Sequence, residues 1–253
     1  MAMFWQSVLN QNFFQKYFWV LIVILAGAGI VIGCVLLLTR QEDEFMSSQK
    51  KNLAKEIIKL PEPRYESGTS LEEALLERRS VRDYKDEPLT LAEISQLLWA
   101  AQGITEPNWG LRTAPSAGAL YPLKIYVLAT KVEGLLIGVY QYHPPNHELI
   151  KIISADKQNE LYAAALKQSS VKEAAAVIII SAVYERTTQK YGPRGERYVQ
   201  LEAGHAAQNI YLQAVSLDLG TVTIGAFDDD EVKKILNLPE EENPLYLMPV
   251  GKK

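Results

Sequence analysis

Arg78-Arg79-Ser80-Val81-Arg82 puts three guanidinium groups and a serine hydroxyl within five residues. Guanidinium groups hold phosphate through paired, charge-assisted hydrogen bonds, and a hydroxyl can join them. The chemistry on offer is the binding of a phosphorylated ligand. Standing alone, the same basic pair would do no more than complement the dipole at a helix end. Further along, Ser116-Ala117-Gly118 has small side chains, so its backbone can approach a flat ring or can be an ordinary loop before a strand. Lys190-Tyr191 sets an amine beside a phenol, two groups whose deprotonated forms can take up a proton. The plainer reading of that pair is a solvated surface segment, since Glu185 to Arg197 also holds Arg186, Arg194 and Arg197.

The elements that would position these groups can be read locally. Ser70 with Glu73 makes a capping box, and Leu71, Ala74 and Leu75 give the helix after it an apolar face. Thr90 with Glu93 makes a second box, for a helix running through Ile94, Leu97, Leu98 and Ala101 to Gly103. Strands are expected at 124–129, 139–142, 174–183 and 245–250, and the continuously apolar third of these reads as buried on both faces. A long helix is expected at 198–217, where Ala203, Ala206, Ala207, Ile210, Ala214 and Leu217 recur at helical spacing. The class is α+β, helices flanking a mainly antiparallel sheet. Trp99 is expected in the core, and His143 and His147 beside a Pro-Pro turn are structural or exposed.

The chain has 253 residues, room for one substantial domain and an appendage. A net charge of −4 argues against a nucleic-acid partner. Three scattered histidines and one cysteine give no metal-ligand spacing, so no metal is expected.

From Tyr17 to Thr39 there are 23 uncharged residues, enough to cross a bilayer as one helix. Trp5, Phe13, Phe14, Tyr17, Phe18 and Trp19 stand where an interfacial aromatic belt would lie. A cleaved leader with Cys34 as a lipidated residue is the rival reading, but the chain stays apolar through Leu38. Gly29 and Gly33 form a GxxxG pair, suited to close helix approach or simply facing lipid. Basic residues Arg40, Lys50, Lys51, Lys55 and Lys59 follow the span and only Lys16 precedes it, which places the rest of the chain on the cytoplasmic side. The expected layout is a tail at 1–16, a transmembrane helix at 17–39, a tether at 40–69 and a folded domain at 70–253.

Beyond the tether, the chain resembles the flavin-dependent nitroreductase superfamily. Within it, the closest likeness is to the SagB/ThcOx branch, the azoline-oxidising dehydrogenases of thiazole and oxazole peptide biosynthesis. The resemblance covers residues 71–252. It rests on the 78–82 block, Pro115 to Pro122, Lys190-Tyr191-Gly192, Glu202-Ala203-Gly204-His205 with Gln208-Asn209, and Ile224-Gly225-Ala226-Phe227. It implies FMN and a homodimer with a flavin at each end of a long interface, the alanine-rich helix lying near the two-fold axis. Arg78, Arg79, Ser80 and Arg82 would contact the FMN phosphate and ribityl chain. Lys252 would complete the phosphate site or be a solvated terminal lysine. Ser116, Ala117 and Gly118 would lie against the isoalloxazine, and a backbone N–H of the Ile224-Gly225 turn would reach flavin N5. Many nitroreductases carry an acidic residue in that turn where this chain has Ile224 and Ala226. Lys190 and Tyr191 match the branch's catalytic pair, and His205 is expected as an interface histidine.

The function expected is that of a membrane-anchored FMN-dependent oxidoreductase, with azoline-to-azole oxidation as its SagB/ThcOx form. The alternatives are an NAD(P)H-dependent reductase of quinones, nitro compounds or halogenated aromatics, and a flavin-binding scaffold without turnover.

Overall fold

The computed structural model describes residues 56–253. The span expected at 17–39, its GxxxG pair and Cys34 lie outside the described residues. Among those described, no helix is long and apolar enough to cross a membrane.

The described chain opens with strand β1 (Ile57–Lys59) and helix α1 (Leu71–Glu77). Strand β2 (Leu89–Thr90) leads directly into helix α2 (Leu91–Gln102), followed by a short pair, β3 (Ile104–Glu106) and β4 (Leu111–Arg112). Strands β5 (Leu123–Ala129), β6 (Val132–Glu133), β7 (Gly138–His143) and β8 (Glu148–Ile153) come next. Helices α3 (Gln158–Ala164) and α4 (Ser169–Glu173) precede β9 (Ala176–Val183). Helices α5 (Glu185–Tyr191) and α6 (Arg194–Ser216) follow, then β10 (Leu219–Thr221), α7 (Asp229–Ile235) and β11 (Glu242–Lys252). Seven of these strands form one sheet in the order β1-β8-β7-β5-β9-β11-β10. Every neighbouring pair in it is antiparallel.

Strand β9 explains why its sequence is continuously apolar. Ile178 and Ile180 face α2 and α6, packing with Leu97, Leu98, Ala203, Ala206 and Ile210. Val177 and Ile179 face the other way, against Leu161 of α3, Val171 of α4, Val232 of α7 and Leu236 at that helix's C-cap. Each such side chain, fully buried, contributes roughly 1.5–3 kcal/mol. The alanines of α6 are what let it lie close: Ala203, Ala206, Ala207 and Ala214 are all turned into this core. They serve the fold of one copy, and the outer face of α6 keeps Leu201, Gly204 and His205 exposed.

Both expected helix starts are built by their caps. Ser70 Oγ accepts the Glu73 N–H at 3.1 Å. Thr90 Oγ1 accepts the Glu93 N–H while Glu93 Oε2 accepts the Thr90 N–H, the reciprocal arrangement. Gly103 does end α2, but at φ −62, not in a left-handed cap. A side chain there would instead collide with Trp99, whose Cδ1 lies 2.1 Å from where the Cβ would sit.

Two segments differ from expectation. Residues 185–197, whose plainer reading is a solvated surface segment, are helical on both sides of a break at Gly192, which has φ +58. The described part of the tether, 56–69, is held to the domain. Ile57 to Lys59 pair with Ile150 to Glu148 as the sheet's edge strand. Gln96 holds the Arg64 backbone from both sides, at 2.8 and 3.0 Å. His147 is structural, its ring bonded to Ser95, Tyr142 and the Pro61 carbonyl. A three-residue strand bounded by charges leaves no periodic pattern, so only its partner reveals it.

Candidate active site

The predicted residues gather in two groups, one at each edge of α6. The first is the phosphate group. Arg78 caps the end of α1, and its guanidinium lies 5.3 Å over the Tyr211 ring. Ser80 Oγ is 3.0 Å from the Tyr211 hydroxyl. That hydroxyl also accepts from Thr223 N at 2.8 Å and Thr223 Oγ1 at 2.9 Å. Tyr211 therefore ties the 78–82 block to the turn that leads into Ile224-Gly225. The Val81 N–H donates to the Thr221 carbonyl at 2.9 Å and the Lys85 N–H to the Lys252 carbonyl at 2.9 Å, which closes the same corner.

Within that corner the expected residues are not equal. Arg79 donates to the Leu76 and Arg78 carbonyls, both at 2.8 Å, so it acts as the helix-end cation. Arg82 is exposed. Lys252 Nζ bonds Glu93 Oε1 at 2.5 Å. Burial acts to raise the Glu93 carboxyl, yet its bonds from Lys252 and Thr90 win and hold it below its ordinary range. Ile224 is buried and exchanges both backbone bonds with Leu247, at 2.8 and 2.9 Å. Its N–H is occupied, while Gly225 beside it is exposed, and a Cβ there would meet the Tyr246 ring at 3.6 Å.

The second group is the ring group. Ser116 Oγ accepts the Tyr121 N–H at 2.9 Å, closing a tight turn over Ala117–Ala119. Gly118 (φ +63), Ala119 (φ +53) and Tyr121 (φ +46) are all left-handed. Such a conformation costs a non-glycine residue about 1–2 kcal/mol, so the surrounding contacts hold this turn in shape. Lys190 and Tyr191, at the end of α5, close on it. A Cβ added to Gly118 would lie 2.8 Å from the Tyr191 hydroxyl and 2.9 Å from Lys190 Nζ. Glycine suits the left-handed conformation here, and any side chain would push the Lys190 and Tyr191 tips aside. Lys190 Nζ lies 5.5 Å over the Tyr191 ring, which meets Tyr198 of α6 edge-on at 5.2 Å.

Beneath the turn is a polar cluster that sequence reasoning left without a role. Glu202 of α6 is 2% exposed and Gln102 is fully buried. Arg112 Nη1 donates to Gln102 Oε1 at 2.8 Å, and its guanidinium stacks 4.4 Å over the Tyr121 ring. Burial pushes the Glu202 carboxyl up to about 7, against the pull of Ser116, Arg112 and Gln102. A glutamate in register with Val199, Ala203 and Ala206 on an apolar stripe was the signal available for it. Tyr211 gave none, because an aromatic on that stripe reads as core.

Arginines, a hydroxyl and an exposed glycine turn at one edge suit a phosphate with its chain. A left-handed turn of small residues with unpaired polar atoms below suits a flat polar ring. The residues present therefore fit FMN.

The nitroreductase family model matches residues 75–252. A protein of Methanocaldococcus jannaschii bearing the nitroreductase name is 53% identical over 183 residues, 72% of this chain and 91% of that one. The crystal structure of a protein of Ralstonia eutropha, also named as a nitroreductase, superposes with TM-score 0.69 at 30% identity, covering 78% of this chain and 89% of the other. The microcin B17-processing protein McbC of Escherichia coli is 28% identical over 158 residues, 60% of this chain and 58% of its own length. The chain belongs to the nitroreductase family and is a flavin-dependent oxidoreductase.

Proposed function

We propose that this protein is a membrane-anchored, FMN-dependent dehydrogenase of the SagB/ThcOx type, acting on a heterocyclised peptide. The observation that carries this reading is the closure of Lys190 and Tyr191 on Gly118, at the surface where the ring is expected. The similarity to a microcin-processing protein supports it. FMN, when bound, supplies a hydride acceptor at N5. Oxidising an azoline ring also releases a proton, which Lys190 as the free amine or Tyr191 as the phenolate, side by side over Gly118, would take. The N–H of the exposed Gly225 would face N5 and stabilise charge there.

The two groups leave α6 on opposite sides. Glu202 and Tyr211 are nine residues apart, hence about 13 Å and half a turn. One copy thus offers half of two sites. A homodimer completes them, the phosphate group of one copy facing the ring group of its partner. Leu71, Leu75 and Leu76 of α1 and Leu201 of α6 are exposed apolar side chains that such a partner would cover. The anchor is the uncharged run 17–39, with the folded domain cytoplasmic.

The name borne by the archaeal relative favours a second reading, in which NAD(P)H reduces the flavin directly and the acceptor is a nitro compound or quinone. Mixing the FMN-loaded protein with NADH or NADPH without oxygen separates the two. Rapid bleaching supports the reductase. A flavin indifferent to both nucleotides, but bleached by an azoline peptide, supports the dehydrogenase.

A further inference from the structure

We propose that Glu202 is a positioning residue of the ring group, setting the shape of the Ser116–Tyr121 turn according to whether its carboxyl carries a proton. The proposal deepens the flavin-binding reading of that turn and rests on it for its link to FMN.

Three buried polar atoms in this cluster lack any hydrogen-bond partner: Glu202 Oε1, Gln102 Nε2 and Arg112 Nε. One is an acceptor and two are donors, on side chains that influence one another. A buried polar atom left unpaired costs about 1–3 kcal/mol. Three in one place mark a cluster that a small rearrangement can satisfy. Room for it exists: a cavity of about 280 Å³ is lined by Ser116, Ala117, Tyr198, Glu202 and His205.

The coupling runs through a single hydroxyl. Ser116 Oγ has one hydrogen to give, and its lone pairs hold the Tyr121 N–H that closes the turn. Facing a charged carboxylate, the hydroxyl donates to Glu202 and its lone pairs stay with Tyr121. Facing a protonated carboxyl, it accepts from Glu202 as well as from Tyr121 and no longer gives its own hydrogen to a charge, so its hold on the Tyr121 N–H weakens. Ala119 and Tyr121, held left-handed at a cost, are the residues that would relax.

The surrounding charges leave both forms within reach. Gln102 faces the carboxyl from α2, Arg112 from β4 and Ser116 from the turn, while Tyr198 and His205 of α6 line the same cavity. Behind Arg112 stand Tyr121, Tyr142 and Arg186, the last opposing its charge. Burial of Glu202 outweighs these partners and brings its titration to about neutral pH.

The test is hydrogen exchange of the 117–121 amides in the full chain freed of FMN, from about pH 6 to about pH 8, with FMN affinity measured alongside. In the parent protein, protection corrected for intrinsic exchange should rise several-fold as Glu202 ionises. Glu202→Gln should hold the low-pH pattern throughout, and Glu202→Asp should restore a pH response. Parent protection that does not change with pH, or a Glu202→Gln protein that keeps the parent's response, overturns the proposal. A turn that switches in a protein that never binds FMN would uphold the role of Glu202 and sink the flavin reading instead. FMN bound over a turn that never switches would do the reverse.

Discussion

Tyr211 and Glu202 leave the same helix and both are buried, yet their surroundings differ. The Tyr211 hydroxyl gives one hydrogen bond and accepts two, the full capacity of a phenol. Glu202 keeps an oxygen unpaired beside two unpaired donors. A satisfied network fixes a corner in one geometry, and an unsatisfied one leaves alternatives close in energy. On the proposed reading, the phosphate edge would hold a ligand in one geometry and the ring edge would respond while chemistry proceeds.

That contrast predicts that the two edges fail differently. The largest effect belongs to the ring edge. Lys190→Ala and Tyr191→Phe should each lower turnover by about 10²–10⁴ while bound FMN, read from its visible absorbance, stays stoichiometric. Loss of FMN from either variant would erase the division.

At the phosphate edge, Arg78→Ala with Ser80→Ala should weaken FMN binding by roughly 10–100-fold, two lost bonds of which one is charge-assisted. Fluorescence titration of FMN measures it. Mixing the Arg78→Ala, Ser80→Ala variant with Lys190→Ala and letting subunits exchange should restore about a quarter of the sites, since a mixed dimer would pair one intact phosphate group with one intact ring group. No recovery would mean that each copy builds its own site.

Glu202→Gln probes stability as well as the turn. A carboxyl whose folded pKa is raised to about 7 binds its proton more tightly in the folded state. Parent stability should therefore fall as pH rises from about 4.5 to about 7, by about 1.4 kcal/mol per unit at most. Denaturant midpoints should show that slope in the parent and a flatter one in the variant, which becomes the more stable of the two above neutral pH. Tyr211→Phe should cost about 1–3 kcal/mol at every pH, because its partners have no titrating member. The smallest stability effect is expected for Gly118→Ala, about 1–2 kcal/mol for the left-handed backbone, accompanied by displacement of the Lys190 and Tyr191 tips and slower turnover.

Much of this protein was determined by its sequence alone, wherever the cause is local. Ser70 and Thr90 start their helices because the group they cap is three residues away. β9 reads as a doubly buried strand because alternate residues supply both faces. The 78–82, 116–118 and 190–191 blocks were each legible as chemistry because their groups are adjacent in the chain. Tertiary structure decided what depends on distant partners. Ser80 meets Tyr211 across 131 residues, and Lys252 meets Glu93 across 159. It assigned Arg79 to a helix end and Ile224 to the sheet, leaving Gly225 the exposed member of the turn. It made residues 57–59 an edge strand, and it turned Glu202 inward beneath Ser116. The physical reason is the same in each case. Residue type fixes which bonds a side chain can make, and only the fold determines which partners come within reach.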